Sequence, residues 1–328
     1  MGCGCSQENI DSKDIIYKDE DLTTRLEREF EKLKNQGNEN LWVKEEEYFL
    51  KEDVIKEEKN ILEEENNKEK EKLTEKDTGH KKEEEINFDS SNWREYIEDD
   101  NNFNQNIPFD FKTISSKLKK ASENPENLNP FYTLSAIYDF TKFFKNISSA
   151  LSMGFSDITE KCEIMRKRFK EYPNVDSIQD LCSKEIELEI YKLNGDNNKS
   201  LGHSNDEYST YISGCRTFLR LLWFLEYLID VFETIMKDDG NGEIKKILGD
   251  SYNKVLAPHH GFFVRRAVGV ALSFSNAGKV SDIVEIIFGY TEFNEETIKA
   301  IKNTNDLMKK IWGGGNEFYE KNKLLGLA

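Results

Sequence analysis

The sequence predicts an all-α protein with a disordered acidic arm in front of it, and two observations carry that prediction. From Ile107 onward, apolar residues recur at helical spacing in one segment after another, and no stretch alternates apolar and polar residues as a strand would. Before Ile107 the chain is rich in Glu, Lys and Asn and poor in aliphatic residues, a composition that does not bury enough surface to fold by itself.

The first six residues, MGCGCS, are predicted to be an acylation signal. They fit the pattern for N-myristoylation of Gly2, with Ser6 at the favoured position, and Cys3 and Cys5 stand beside Gly2 as palmitoylation candidates. One myristoyl chain binds membranes only marginally, so a second acyl chain is what makes such an anchor durable. Residues 1–6 therefore predict a cytoplasmic protein anchored to a cytosolic membrane leaflet.

Residues 7–106 are predicted to be an acidic tether, largely disordered or transiently helical. The first 100 residues hold 17 Lys and Arg against 32 Asp and Glu, a net charge of −15 that leaves −2 for the other 228 residues. Such a charge disfavours nucleic acid and gives no polybasic attraction to anionic lipid. Leu41, Tyr48, Ile55 and Leu62 recur every seven residues, which leaves two alternatives open: a transient solvated helix and a helix that binds a protein partner.

Residues 107–328 are predicted to form the helical domain. The segments of helical period are 111–121, 130–148, 156–172, 177–193, 211–236, 242–255, 260–276, 279–289, 295–312 and 316–325. Loops are predicted at 194–198, 238–242 and 313–315, where residues that break helices cluster.

The motifs of the chain predict neither catalysis nor metal binding. Cys162, Cys182 and Cys215 are single residues in helix-like segments without metal-ligand spacing, which favours reduced cytosolic thiols. There is no nucleotide-binding loop and no GxSxG nucleophile motif. No run of about 18 uncharged apolar residues predicts a membrane span. The sequence therefore predicts a protein that is not an enzyme and needs no cofactor.

The segment 213–232 holds the most informative pair of charges. Arg216 and Arg220 are four residues apart, so they project from one face of a helix that is otherwise mostly apolar. Two such cations repel each other and cost several kcal/mol each to desolvate unless an anion compensates them. Guanidinium groups bind phosphate bidentately, which favours a phosphate monoester. An ion pair with Glu226, Asp230 or an acid on another helix is the structural alternative.

Three segments resemble the headgroup segments of the glycolipid transfer protein family and follow its order along the chain. They are GFSDITEKCEIM at 154–165, SGCRTFLRLLWFL at 213–225 and SYNKVLAPHHGFFVRRAV at 251–268. The resemblance covers residues 107–328 and is closest to the ceramide-1-phosphate transfer branch. It implies a two-layer sandwich of about eight helices around an apolar lipid pocket. It also implies non-enzymatic transfer of a sphingolipid between membranes.

The resemblance implies a role for individual residues. Asp157 matches an aspartate that accepts hydrogen bonds from the sphingoid amide and hydroxyl, and Lys161 matches a basic residue that contacts the phosphate. Arg216 and Arg220 match the phosphate-binding pair. His260 matches the histidine that contacts the ceramide amide carbonyl. The implied pocket walls are Phe143, Phe144, Leu151, Phe155, Phe218, Leu219, Leu222, Val264, Val268, Ala271 and Phe274.

Three positions distinguish this chain from other members of the family and bear on the expected lipid and on membrane contact. Members that bind sugar headgroups carry a tryptophan where this chain has Arg220, so phosphate is favoured over glycan. Glu207 stands near the position of a further phosphate-contacting arginine, which removes one donor. Phe262 replaces a tryptophan and keeps an apolar group for membrane contact. The expected ligand is similar to ceramide 1-phosphate; a membrane-anchored sphingolipid sensor or scaffold and a glycolipid carrier are the alternatives.

Overall fold

The computed structural model describes residues 93–98, 110–147, 155–203, 207–273, 278–284, 288, 290 and 292–327. Within these residues the secondary structure is helical, with two isolated β-bridges and no strand. The predicted all-α fold class is confirmed. The predicted acylation sites Gly2, Cys3 and Cys5 and the stripe from Leu41 to Leu62 lie outside the described residues.

The helices begin and end close to the predicted segments. They are α1 (Trp93–Glu98), α2 (Phe111–Ala121), α3 (Pro130–Ile147), α4 (Ser156–Glu171), α5 (Ile178–Glu187), α6 (Gly214–Lys237), α7 (Ile244–Val255), α8 (Phe262–Ser273), α9 (Val280–Ile283) and α10 (Glu295–Lys321), with 3₁₀ turns at Asp196–Leu201 and Ala257–His259. Polar side chains accept hydrogen bonds from first-turn N–H groups and so fix four of the starts. The four capping residues are Asp110, Ser177, Ser213 and Asn294.

Helix α6 is the centre of the domain. It packs against α4, α5, α7 and α10, and most of its side chains are buried. Near its C-terminal end, the ring of Phe232 contacts the rings of Phe111 on α2 and Phe140 on α3 at centroid distances of 6.3 and 6.0 Å. Helix α3 also packs against α1, α2 and α4. The apolar residues of α6 therefore join the other helices into one core. In the part of the chain that the structure describes, no helix is long and apolar enough to cross a membrane.

The loop predicted at 313–315 is wrong, because α10 runs unbroken from Glu295 to Lys321. Gly314 and Gly315 allow close packing there. A Cβ on Gly314 would lie 2.1 Å from the carbonyl oxygen of Pro125, and one on Gly315 would lie 2.7 Å from Cδ2 of Leu222 on α6. Close packing against Pro125 and against α6 thus offsets the low helix propensity of glycine.

The predicted segment 177–193 ends earlier than expected, at Glu187. Glu189 adopts a left-handed backbone conformation with φ of 60°, which stops the helix. The chain then turns so that Ile190 and Leu193 pack with Tyr211 in a small apolar cluster of their own. This turn leads toward the start of α6.

The folded unit begins before Ile107, since helix α1 lies in the segment predicted to be tether. Trp93 and Ile97 are buried, and the Trp93 ring packs edge-on against Phe169 at 5.7 Å. Arg166, itself buried on α4, donates from Nε to the Ile97 carbonyl oxygen at 2.9 Å. Periodicity alone did not distinguish this single turn and a half from the surrounding polar sequence.

Candidate functional site

The residues predicted to bind a headgroup come together at one site. Asp157 and Lys161 lie on the first turns of α4, Arg216 and Arg220 on the first turns of α6, and His260 in the segment between the 3₁₀ turn and α8. The charges of Asp157, Lys161 and Arg220 all act on the pKa of His260. Nη1 of Arg220 lies 3.5 Å from the carbonyl oxygen of Arg216. Five positions spread over about a hundred residues of sequence therefore share one environment.

The two arginines make this environment strongly cationic. Burial and the charge of Arg220 together lower the pKa of Arg216 from 12.5 to about 10. Its backbone N–H donates to the capping hydroxyl of Ser213 at 3.1 Å, so the first turn of α6 fixes where the Arg216 side chain starts. A guanidinium whose charged form is disfavoured by its surroundings is stabilised by an added anion. The arrangement favours an anionic ligand.

Asp157 and Lys161 form an ion pair across one turn of α4. The side chain of Lys161 is only 15% exposed, whereas that of Asp157 is 60% exposed. The site therefore offers a carboxylate acceptor at its surface and an ammonium donor beneath it. The site therefore contains three cationic side chains, those of Lys161, Arg216 and Arg220, and the carboxylate of Asp157.

The two adjacent histidines have different surroundings. His260 is half-buried, and its Nδ1 lies 2.9 Å from the hydroxyl oxygen of Tyr252. Burial lowers the pKa of His260, so the imidazole is neutral at pH 7. His259 is exposed, and its ring stacks on Trp223 at 3.8 Å with an interplanar angle of 7°. His260 is thus the histidine bonded to a buried partner, and His259 extends an aromatic surface beside Arg220.

Sequence reasoning missed the residue that holds the start of α6. The Glu185 carboxylate is fully buried and accepts hydrogen bonds from the Tyr211 and Ser213 hydroxyls at 2.7 and 2.6 Å. It also accepts from the backbone N–H groups of Gly214 and Cys215, each at 2.7 Å. Burial raises the pKa of Glu185, and these hydrogen bonds oppose the rise. The carboxylate therefore fixes the helix end that carries the arginines.

No local pattern identifies Glu185 in the sequence. It is one of several acids between residues 185 and 189, and its partners follow 26 to 30 residues later. A helix start after a Ser–Gly pair predicts a cap, and Ser213 supplies it. The second cap comes from another helix, which spacing within one segment does not predict.

Apolar residues continue from this site into the core. Phe155, just before α4, stacks on Phe144 of α3 at 3.8 Å, and its ring centroid lies 6.0 Å from that of Tyr227 on α6. The predicted wall residues Phe143, Phe144, Phe218, Leu219 and Leu222 are at most 1% exposed. Val264, Val268 and Ala271 on α8 are partly buried, and Leu151 and Phe274 lie outside the described residues.

Phe262 is the most exposed large apolar side chain in the described residues, at 56%. It begins α8, two residues after His260. The guanidinium of Arg266 lies 5.9 Å from the centre of its ring, one turn along the same helix. An apolar side chain therefore projects into solvent beside the site.

Away from these residues, a depression of about 360 Å³ lies between α6, α7 and α10. Its acids on α6 are balanced by basic residues of the neighbouring helices. Lys254 pairs with Asp230, and Lys309 pairs with Glu233 at 2.6 Å. Within the described ranges, no group of three or more His, Cys, Asp or Glu side chains is suited to hold a metal ion.

The sequence and the fold are similar to those of known proteins. Residues 128–279 match the family model described as Glycolipid transfer protein (GLTP). The ceramide-1-phosphate transfer protein of Danio rerio is 26% identical over 220 residues, which are 66% of this chain and 94% of that protein. The Rattus norvegicus protein of the same name is 24% identical over 218 residues, 62% of this chain and 93% of that protein.

Two solved structures share the fold. The human ceramide-1-phosphate transfer protein in complex with 2:0 ceramide-1-phosphate aligns with a TM-score of 0.56 and 20% identity over 67% of this chain and 99% of that chain. The mouse protein in its apo form aligns with a TM-score of 0.55 and 18% identity over 66% of this chain and 98% of that chain.

Proposed function

We propose that this chain, whose residues 128–279 match the glycolipid transfer protein model, binds a phosphate-headed sphingolipid similar to ceramide 1-phosphate and transfers it between membranes without catalysing a reaction. The proposal rests on one observation: the cationic side chains of Lys161, Arg216 and Arg220 lie in the same site as Asp157 and His260. Cations, one carboxylate and a neutral imidazole form a site suited to recognition.

The arginine pair accounts for a phosphate rather than a sugar. Burial and Arg220 disfavour the charge of Arg216, so a phosphate between the two groups relieves both the repulsion and the desolvation. Each guanidinium can give two N–H groups to phosphate oxygens. A neutral glycan would leave the repulsion in place.

Asp157 and His260 supply the groups that recognise the ceramide part. A carboxylate accepts from the amide N–H and the sphingoid hydroxyl, and a neutral imidazole N–H donates to the amide carbonyl. When the lipid binds, its phosphate can replace Asp157 as the partner of Lys161, and its amide N–H can replace Lys161 as the partner of Asp157. The ion pair therefore favours lipids that present a phosphate and an amide N–H side by side.

Phe262 is the proposed membrane contact. It is exposed at the start of α8, close in sequence to His260, so insertion into the interface would bring the site near the bilayer. The exposed Arg265 and Arg266 follow on the same helix and suit the headgroup region of a bilayer.

The chain's N-terminal residues fit a tethered mode of transfer. MGCGCS carries Gly2, Cys3 and Cys5 for acylation, and a coil of about 90 residues, the length of the predicted tether, would reach roughly 50 Å root mean square. Transfer would then occur between an anchoring membrane and one close to it. Labelling at Gly2 with a myristate analogue, and its loss in Gly2→Ala, tests the anchor separately from the lipid site.

A vesicle-to-vesicle assay with the full chain tests the proposed transfer. Wild-type protein is expected to move ceramide 1-phosphate in preference to galactosylceramide. Arg220→Ala is expected to lower the rate roughly 10- to 100-fold, the equivalent of losing a charge-assisted hydrogen bond. Lys302→Ala on the exposed face of α10 is the matched control and should transfer at the wild-type rate. Preferential movement of galactosylceramide would overturn the phosphate assignment.

A second function is favoured by the acylation signal, because permanent anchoring restrains a carrier. In that case the domain would act as a membrane-bound sensor or scaffold that reads sphingolipid, and the arm would recruit a protein partner. Native mass spectrometry separates the two functions when combined with the transfer assay. Protein that retains a sphingolipid but moves none would favour the sensor.

A further inference from the structure

Tyr252 is the buried partner of His260. Its side chain comes from α7 and is 4% exposed, and its hydroxyl oxygen lies 2.9 Å from Nδ1 of the imidazole. Burial raises the pKa of Tyr252 to about 12, so the phenol keeps its hydrogen at neutral pH. A buried phenol needs an acceptor for that hydrogen. Within the described residues, Nδ1 is the acceptor that the structure gives it.

The direction of this hydrogen bond decides which nitrogen of His260 is protonated. A neutral imidazole has one N–H donor and one acceptor nitrogen. When the Tyr252 hydroxyl donates to Nδ1, that nitrogen has no hydrogen, and Nε2 carries it. The opposite tautomer would put two hydrogens between the same pair of atoms or turn the phenol hydrogen away from its acceptor.

Burial is the main reason that His260 stays neutral, because it lowers the His260 pKa more than any neighbouring charge changes it. Among the charges, Asp157 acts to raise that pKa, whereas Lys161, His259 and Arg220 act to lower it. Arg265 is the charged group that acts on Tyr252, and its charge lowers the Tyr252 pKa less than burial raises it. Both members of the pair therefore remain uncharged near pH 7, which the tautomer assignment requires.

We propose that Tyr252 is a positioning residue for headgroup recognition: its hydroxyl holds His260 in the Nε2–H tautomer and so makes the imidazole a donor to a carbonyl oxygen of the lipid. The proposal rests on the proposed function, because the carbonyl is the ceramide amide. It adds a specificity element, since a lipid without an acceptor at this point loses a preorganised hydrogen bond.

Nitrogen NMR of the full chain tests the tautomer without any lipid. In protein labelled with ¹⁵N-histidine, the His260 resonances, assigned with His260→Gln, are expected to show a protonated Nε2 and an unprotonated Nδ1. Tyr252→Phe keeps the ring and removes the hydroxyl, so its His260 should become a mixture of tautomers. Tyr227→Phe is the matched control, because Tyr227 is also buried but its hydroxyl lies 3.5 Å from the Leu248 carbonyl oxygen instead.

The transfer assay tests the consequence for recognition. Tyr252→Phe should move ceramide 1-phosphate roughly three- to tenfold more slowly than wild type, the effect of one misoriented hydrogen bond, while Lys302→Ala on the exposed face of α10 should not. A wild-type His260 with its hydrogen on Nδ1, or a Tyr252→Phe protein with the wild-type tautomer and rate, would overturn the proposal. Wild-type protein that shows the Nε2–H tautomer but transfers no sphingolipid would overturn the proposed function and leave the tautomer assignment standing.

Discussion

The two halves of α6 carry charge in opposite ways. In the C-terminal half, Asp230 pairs with Lys254 and Glu233 pairs with Lys309, so acids meet bases from neighbouring helices. In the N-terminal half, Arg220 and burial together disfavour the charge of Arg216. In the C-terminal half, these ion pairs hold neighbouring helices together, so the stability of the fold explains its charges. In the cationic half the disfavoured charge of Arg216 opposes that stability, and the anionic ligand of the proposed function would compensate it.

The largest expected effect comes from the carboxylate that anchors the cationic half. Glu185→Ala leaves two hydroxyls and two backbone N–H groups at the start of α6 without their acceptor. We expect a loss of about 3–5 kcal/mol in the free energy of unfolding, measured by urea denaturation. Glu187→Ala, two residues later and paired with the exposed Lys184, is the control and should change it by less than about 0.5 kcal/mol. Equal losses in the two variants would mean that Glu185 does not anchor α6.

The two arginines and their anchor differ in how far the sequence could predict them. Arg216 and Arg220 lie within one segment, so helical spacing alone put them on one face, and the family resemblance supplied their proposed role. Glu185 lies in another helix, and nothing in its own segment indicates that it caps α6. Sequence patterns predicted elements and local pairs, whereas this cap depends on the packing of α5 against α6.

Packing against another helix also explains why the sequence prediction failed at the glycines of residues 313–315. By local propensity, residues 313–315 read as a loop, but tight packing of Gly315 against Leu222 makes them part of α10. Leu222 stands between Arg220 and Glu226, at the junction of the two halves of α6. A one-dimensional pattern does not tell a glycine that breaks a helix from a glycine that lets two helices approach.

Replacing Gly315 tests how closely α10 packs against this junction. In Gly315→Ala the new Cβ would meet Leu222 at 2.7 Å, so we expect the free energy of unfolding to fall by about 2 kcal/mol. Gly313→Ala is the matched control, because its Cβ meets nothing within 4 Å and alanine favours the helix by about 1 kcal/mol. Urea denaturation of both variants should give opposite signs. A stabilised Gly315→Ala would show that α10 can shift on α6 without cost.

Removing one charge from each half tests the comparison directly. Arg216→Gln removes a disfavoured charge, and we expect it to raise the free energy of unfolding by about 1 kcal/mol after allowance for solvent screening. Asp230→Asn removes the partner of Lys254 and should lower the free energy of unfolding by about 0.5 kcal/mol. In the transfer assay the order reverses, since only Arg216→Gln should impair movement of ceramide 1-phosphate. Destabilisation by both substitutions would remove the distinction between the halves.

The smallest effect is a pH dependence beside the cationic half. Burial lowers the folded-state pKa of His260 below its ordinary value of 6.5, so the unfolded chain takes up the proton first as pH falls. The stability linked to neutral His260 is complete above pH 6.5 and is lost as pH falls through the folded-state pKa. Lys161 and Arg220 oppose that protonation, whereas Asp157 favours it. Urea denaturation between pH 7.5 and 5 should therefore show a shallower decline in His260→Gln than in wild type, and His259→Gln, at the exposed position, should resemble wild type more closely. Parallel curves for wild type and His260→Gln would mean that the imidazole is not held neutral by burial.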